Sequence, residues 1–213
     1  MQKAYSSAHL KYLLHIPTMG SEQAKLPLIL FLHGSGERGD DQQSIKKYGL
    51  PRELESRPDF SFIVLSPLCP AAKRWVDLGA EVTTLLDEII AKYPVDPARV
   101  YLTGFSMGGE GVWYFAVEHP ERWAAIAPVS GHIPRQADFL TRLCVLKSKP
   151  VWVFHGAADD VVPLSGSQIP TEALRECGAD VRFTVYPDLG HGPTSDETFP
   201  NEALYTWFLE NHS

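Results

Sequence analysis

Long apolar runs are what this chain most plainly lacks. No stretch of its 213 residues approaches the roughly 20 apolar positions needed to span a bilayer, so no membrane segment is expected. Cysteine is scarce. Cys69, Cys144 and Cys177 are widely spaced and suit neither a disulfide framework nor a zinc site. The expectation is three packing residues in a reducing, cytoplasmic setting. Positive charge is also short: 19 Lys and Arg against 26 Asp and Glu leave a net charge of −7, which argues against a nucleic-acid or anionic-membrane surface. The segment Met1 to Leu10 has neither the apolar core nor the cleavage signature of an export signal. Repeats, linkers and low-complexity tracts are absent too, and neither a metal nor a cofactor is expected. What remains is one ordinary domain over residues 1–213, long enough to bury about 70% of its unfolded surface. A homo-oligomer is compatible with this composition but is not specified by it.

The chain alternates strand-like and helix-like segments. Leu10 to Ile16 reads as an edge strand ended by Pro17, and a polar loop follows from Thr18 to Lys25. Leu26 to His33 is a continuous apolar run, as expected of a strand buried on both faces. A polar segment with weak helical character then reaches Leu54, and Phe60 to Ser66 is a second buried strand. Val82, Leu85, Leu86, Ile89 and Ile90 fall at helical spacing before Pro94. Val100 to Thr103 predicts a strand, and the apolar helix after it stops at Pro120. Trp123 to Val129, Val151 to His155 and Val181 to Tyr186 predict further strands. Leu174 marks a short helix closed by Gly178, and Asn201 to Leu209 the final one. Buried strands alternating with helices at this spacing indicate an α/β domain with a mainly parallel sheet and helices on both faces.

The stretch Gly104-Phe105-Ser106-Met107-Gly108 sits between a predicted strand and a predicted helix. A G-x-S-x-G turn in that setting is a nucleophile elbow. The serine must take a strained backbone conformation, and small neighbours two residues away avoid collision. Its hydroxyl then stands at a helix N-terminus, where free N–H groups favour negative charge.

In chains with this elbow the partners follow in the order nucleophile, acid, histidine, beyond the carboxyl ends of the strands. The acid should follow the strand Val151 to His155, where Asp159 and Asp160 stand. Asp159 is nearer the strand end and is preferred, with Asp160 as the alternative. Asp188 reads as a turn residue. Downstream only His191 and His212 remain of the eight histidines, and His212 is penultimate. His191, in the loop Pro187 to Pro193, is therefore the candidate base. Oxyanion donors are expected at the backbone N–H of Met107 and, from the loop His33-Gly34-Ser35-Gly36, at that of Ser35. His33 is expected to orient this loop by hydrogen bonding. Trp75 can be read equally as a substrate-pocket wall or as a core residue. The other four tryptophans read as core.

A rival reading uses the same loop. Gly34 to Gly39 matches G-x-G-x-x-G after a buried strand. An amphipathic helix should open at the third glycine, yet Gly39 to Gly49 is polar and is followed by Pro51. The next strand should end in an acid, but ends in Ser66-Pro67. A nucleotide-binding oxidoreductase is therefore disfavoured.

Taken together, Leu32 to Asp41, Gly104 to Gly109, His155 to Asp159 and Gly190-His191 resemble the α/β-hydrolase superfamily. The likeness is to its small lidless members of the dienelactone-hydrolase, phospholipase/carboxylesterase and predicted-peptidase types. The resemblance implies a three-layer fold with no lid domain and a serine hydrolase whose triad is Ser106, Asp159 and His191. Dienelactone hydrolases proper carry cysteine at the elbow, so Ser106 points away from that reaction. Gly192 and Pro193 also depart from the acidic and aromatic residues that often follow the histidine. The expected substrates are small molecules, short or soluble carboxylic esters. A thioesterase, a feruloyl-type aryl esterase and, last, a peptidase are the alternatives, and a non-catalytic binding protein is the alternative of another class.

Overall fold

The computed structural model describes residues 2–17 and 25–213. Met1 and most of the loop expected over residues 18–25 lie outside the described residues. The strands are β1 (Lys3–Ser6), β2 (Lys11–His15), β3 (Leu26–Leu32), β4 (Ile63–Pro67), β5 (Val95–Phe105), β6 (Ala125–Val129), β7 (Val151–Gly156) and β8 (Val181–Tyr186). The helices are α1 (Leu50–Glu53), α2 (Gly79–Lys92), α3 (Met107–Glu118), α4 (Phe139–Arg142), α5 (Ser165–Glu176), α6 (His191–Thr198) and α7 (Glu202–Glu210). One eight-stranded sheet has the order β1-β2-β4-β3-β5-β6-β7-β8. β2 runs antiparallel to β1 and β4, and every pairing from β4 to β8 is parallel.

The apolar run of β3 shows why the sheet has two covered faces. Leu28, Leu30 and Leu32 point into a core shared with Val82, Leu85, Leu86 and Ile89 of α2, Val112, Trp113, Phe115 and Ala116 of α3, and Leu174 of α5. Ile29 and Phe31, the alternate residues, point into a second core with Leu50 and Leu54 near α1 and Leu204, Tyr205 and Phe208 of α7. Side chains alternate along a strand, so a strand between two helix layers must be apolar at every position. Each such side chain contributes about 1.5–3 kcal/mol by leaving water. That sum overrides Pro27, which cannot donate to the ladder; the β3–β5 register shifts there, between Leu26 and Leu28.

Several boundaries differ from the sequence reading. The segment expected to form an edge strand is interior: β2 pairs on both sides, and β1 takes the edge. β1 escaped notice because it is short and mostly exposed, with no apolar alternation to betray it. α5 is longer than expected because Pro170 lies inside it, packed on the buried side. α6 begins at His191, where a loop was expected. Its buried positions are Thr194, Ser195 and Thr198, so it carries no apolar stripe to read.

Cysteine requires a correction. Cys69 is buried and free, and burial pushes its thiol up to about 12, the state of an inert packing residue. Cys144 and Cys177, however, are joined in a disulfide with a Cα–Cα distance of 5.5 Å. Packing of α5 beside the turn Leu143–Leu146 brings these positions together across 33 residues of sequence. Spacing alone could not reveal that. Cysteine content therefore gives no support for a reducing compartment. Among the described residues no helix is long and apolar enough to cross a membrane.

Trp75 also needs correcting, for it is no pocket wall. It is fully buried, and its indole Nε1 donates to the His33 carbonyl at 2.9 Å. The His33 ring stands edge-on to it at 4.9 Å. His33 bonds within its own loop, as the sequence reading expects, and it also ties the ends of β3 and β4 together. Its Nδ1–H donates to the Gly34 carbonyl at 2.6 Å, and its Nε2 accepts the Cys69 N–H at 3.0 Å. The second bond requires a neutral ring, because an imidazolium has no nitrogen left to accept the Cys69 N–H. Burial pushes its pKa down to about 4, with Arg38 adding to the shift and the Gly34 bond opposing it.

The buried ring sets a pH dependence. In the unfolded chain His33 gains a proton near its ordinary 6.5, and in the folded chain only near 4. Between these values the unfolded state binds more protons, so stability falls as pH drops through the window, by about 3 kcal/mol. Urea unfolding should show a steeper acid loss for the wild type than for His33→Gln; equal slopes would exclude a buried neutral ring. Thiol titration of the unfolded, unreduced chain should find Cys69 alone, and all three cysteines after reduction.

Candidate active site

The carboxyl ends of β5, β7 and β8 converge on one rim of the sheet, where Ser106, Asp159 and His191 meet. Ser106 directly follows β5 and precedes α3 with φ 58° and ψ −116°, the left-handed region that a serine normally avoids. Its N–H donates to the Val129 carbonyl at 2.9 Å, and its carbonyl accepts the Glu110 N–H at 3.1 Å. These bonds, one to β6 and one inside α3, over-determine the strained conformation. Gly108 is the steric condition. A Cβ there would lie 1.8 Å from the Leu32 carbonyl oxygen, so only glycine lets α3 cross the end of β3 this closely.

His191 is set by a second close approach. The N-terminus of α6 rests on Gly156 at the end of β7, where a Cβ would fall 2.1 Å from the Leu189 carbonyl and 2.4 Å from Thr194 Oγ1. Thr194 donates its hydroxyl to the Gly190 carbonyl at 2.8 Å, which closes the first turn. The imidazole lies over the Phe105 ring at 4.6 Å. From there its Nε2 accepts the Ser106 hydroxyl at 2.8 Å, and its Nδ1–H donates to Asp159 Oδ2 at 2.7 Å. The three residues separated in sequence thus form one continuous hydrogen-bonded chain.

Asp159 has a buried carboxylate, fully shielded from solvent. Burial alone would raise its pKa. The hydrogen bond from His191, those from the Val162 and Val161 N–H groups and the attraction of His191 outweigh burial and hold the carboxyl below its ordinary value. Those backbone bonds reach Oδ1 at 2.8 and 3.0 Å and leave Oδ2 for the ring. A second imidazole flanks the acid: His155 Nε2 is 3.4 Å from Oδ2 and donates to the Val162 carbonyl at 2.9 Å. Its Nδ1 takes the Ser167 hydroxyl at 2.7 Å. Burial, above all, lowers the pKa of His155 and keeps it neutral. Asp160, the alternative acid, is exposed and lines the open cavity instead. Asp188 is exposed as well, in the turn after β8.

Met107 and Ser35 line one small cavity together with Ser106. Met107 opens α3 and Ser35 opens the 3-10 turn Ser35–Glu37, so the N–H of each belongs to the first residue of a helix, where no intrahelical partner exists. The turn ends at Glu37, and no α-helix opens at Gly39, which removes the dinucleotide reading.

Two buried carboxylates were not singled out by the sequence reading. Glu37 folds back under the loop, and burial pushes its pKa up, opposed chiefly by the Gly34 backbone bond. Glu110 lies one turn after Ser106, nearly buried, and binds the Arg74 guanidinium. A charge within the apolar run from Val112 back to Gly108 was the available signal. Around Ser106 spreads a cavity of about 440 Å³, walled by Tyr48, Phe105, Val161 and Pro193.

Known proteins bear on this geometry. The model of the phospholipase/carboxylesterase family matches residues 74–200. A bifunctional acetylxylan esterase/xylanase of Neocallimastix patriciarum is 28% identical over 91% of this chain, which spans only 28% of that protein's length. A probable carboxylesterase of Oryza sativa subsp. japonica is 23% identical, with 94% of this chain and 83% of that one covered. Among solved structures, a thermostable esterase superposes with a TM-score of 0.82 at 28% identity, covering all of this chain and 63% of the other. The family match takes in the elbow, the acid loop and the histidine together, and the chain belongs to the phospholipase/carboxylesterase family of α/β-hydrolases.

Proposed function

We propose that the protein is a serine carboxylesterase that cleaves short or soluble carboxylic esters through Ser106, His191 and Asp159. The observation that carries this reading is the chain of two hydrogen bonds, Ser106 Oγ to His191 Nε2 at 2.8 Å and His191 Nδ1 to Asp159 Oδ2 at 2.7 Å.

The chemistry follows from those atoms. His191 Nε2 takes the hydroxyl proton as Ser106 Oγ bonds to the ester carbonyl carbon, and the carbonyl oxygen becomes an oxyanion. Asp159 stays ionised, fixes the Nδ1–H tautomer and stabilises the imidazolium. The Met107 and Ser35 amides receive the oxyanion. The imidazolium then gives its proton to the leaving alcohol as the tetrahedral carbon collapses to an acyl-enzyme. Water, deprotonated by the same ring, releases the acid and restores Ser106. The open cavity beside Ser106 supports small or soluble substrates.

Ser106→Ala should lower kcat by about 10⁶ and Asp159→Asn by about 10⁴, while exposed Asp160→Asn stays near wild type. Rates on 4-nitrophenyl esters from acetate to palmitate should peak at the short end, with a thioester and an aminoacyl anilide as comparators. Fluorophosphonate labelling that persists in Ser106→Ala would place the nucleophile elsewhere and end the proposal.

A further inference from the structure

The large cavity beside Ser106 is not its only recess. A smaller one, about 160 Å³, is lined by Ser35, Arg38, Arg74, Ser106, Met107, His132 and Val162. Ser106 and both residues whose amides are the proposed oxyanion donors line it, so an ester held there presents a second group to this wall. The wall is cationic, on a chain whose net charge is −7.

The charges do not cancel. Arg74 donates to the Glu110 carboxylate through both Nε and Nη2, so its charge is matched by a nearly buried acid. His132 donates from Nδ1 to the Ile133 carbonyl at 2.8 Å, and the Glu110 carboxylate lies 3.9 Å from the same nitrogen. Arg38 differs from both. Its Nε donates to the Ser35 carbonyl at 3.1 Å and its Nη1 to the Lys73 carbonyl at 3.2 Å. Both acceptors are neutral, and among the described residues no carboxylate pairs with it. Two backbone carbonyls thus hold the exposed guanidinium on the recess that Ser106 also lines, while no hydrogen bond of its Nη2 is found among the described residues. A guanidinium so held is pre-organised for a carboxylate or similar oxyanion.

We propose that Arg38 is an anion-recognition residue of this site, and that the preferred esters carry a carboxylate a few bonds from the scissile carbonyl. The inference rests on the reading of Ser106 as the nucleophile and adds to it a substrate class: half-esters of short dicarboxylic acids, or acyl esters of carboxylate-bearing alcohols. Both present the same anion to the same guanidinium, from opposite sides of the ester bond. A charge-assisted hydrogen bond of this kind favours the anionic ester about 10- to 100-fold over its neutral counterpart.

The test compares kcat/KM for 4-nitrophenyl hydrogen succinate with 4-nitrophenyl butyrate, and for 4-acetoxybenzoate with phenyl acetate. The first pair reads an anion on the acyl side, the second on the alcohol side. In at least one pair the anionic-to-neutral ratio should fall about 10- to 100-fold in Arg38→Met, survive largely in Arg38→Lys, and shrink in the wild type as salt is raised. A purely structural role for Arg38, through the Ser35 carbonyl, would slow both members of a pair alike and leave the ratio unmoved, which overturns the proposal. So would a wild type that hydrolyses the neutral esters with ratios unchanged by Arg38→Met. A wild type inert to all four esters would instead overturn the carboxylesterase reading, and this one with it.

Discussion

The structure depends on one close crossing, that of α3 over the carboxyl end of β3 at Gly108. Because no side chain intervenes, the helix N-terminus meets the sheet directly, and the residue between β5 and α3 must turn through a left-handed conformation. Ser106 accepts that strain because the Val129 carbonyl and the first turn of α3 hold its backbone from both sides. The result is a hydroxyl raised above the sheet at the positive end of a twelve-residue helix. Everything else on this rim is placed relative to that hydroxyl.

The partners arrive by the same device used again. α6 docks its first turn on Gly156 as α3 docks on β3, and the docking carries His191 to the elbow. The acid loop closes the arrangement from beneath. Asp159 spends one oxygen on two backbone N–H groups and offers the other to the ring, and neutral His155 stands behind it. A buried carboxylate would be costly if unpaired; here each oxygen has donors, so ionisation and burial coexist.

The loop after β3 follows another logic, that of a turn clamped from below. Buried Trp75 and neutral His33 hold its carbonyls and tie it to Cys69, while Arg38 binds it from the solvent side. Ser35, at the start of its turn, lines the same small cavity as Ser106. The bonds of Trp75 and His33 below the loop close within the protein, and Arg38, which has no carboxylate partner among the described residues, lies on its outer wall. That division makes the rim rigid at the amides yet electrostatically open at Arg38.

By itself the sequence determined the layered α/β architecture, the elbow and the residues that meet there. Apolar runs such as Leu28 to Leu32 admit only a strand covered on both faces, and the glycines around Ser106 leave only a tight strand-to-helix turn. The order nucleophile, acid, histidine then left His191 standing by elimination. Periodicity could not find β1 or α6, because an exposed edge strand and a helix buried on threonine and serine bury too little apolar surface to show it. It could not tell Asp159 from Asp160 with certainty, since adjacent carboxylates differ only in which one the loop turns inward. The pairing of Cys144 with Cys177, the burial of Trp75 and the two backbone carbonyls that hold Arg38 were decided by tertiary structure alone. Each depends on which distant segment packs beside the residue, and chain order carries no record of that distance.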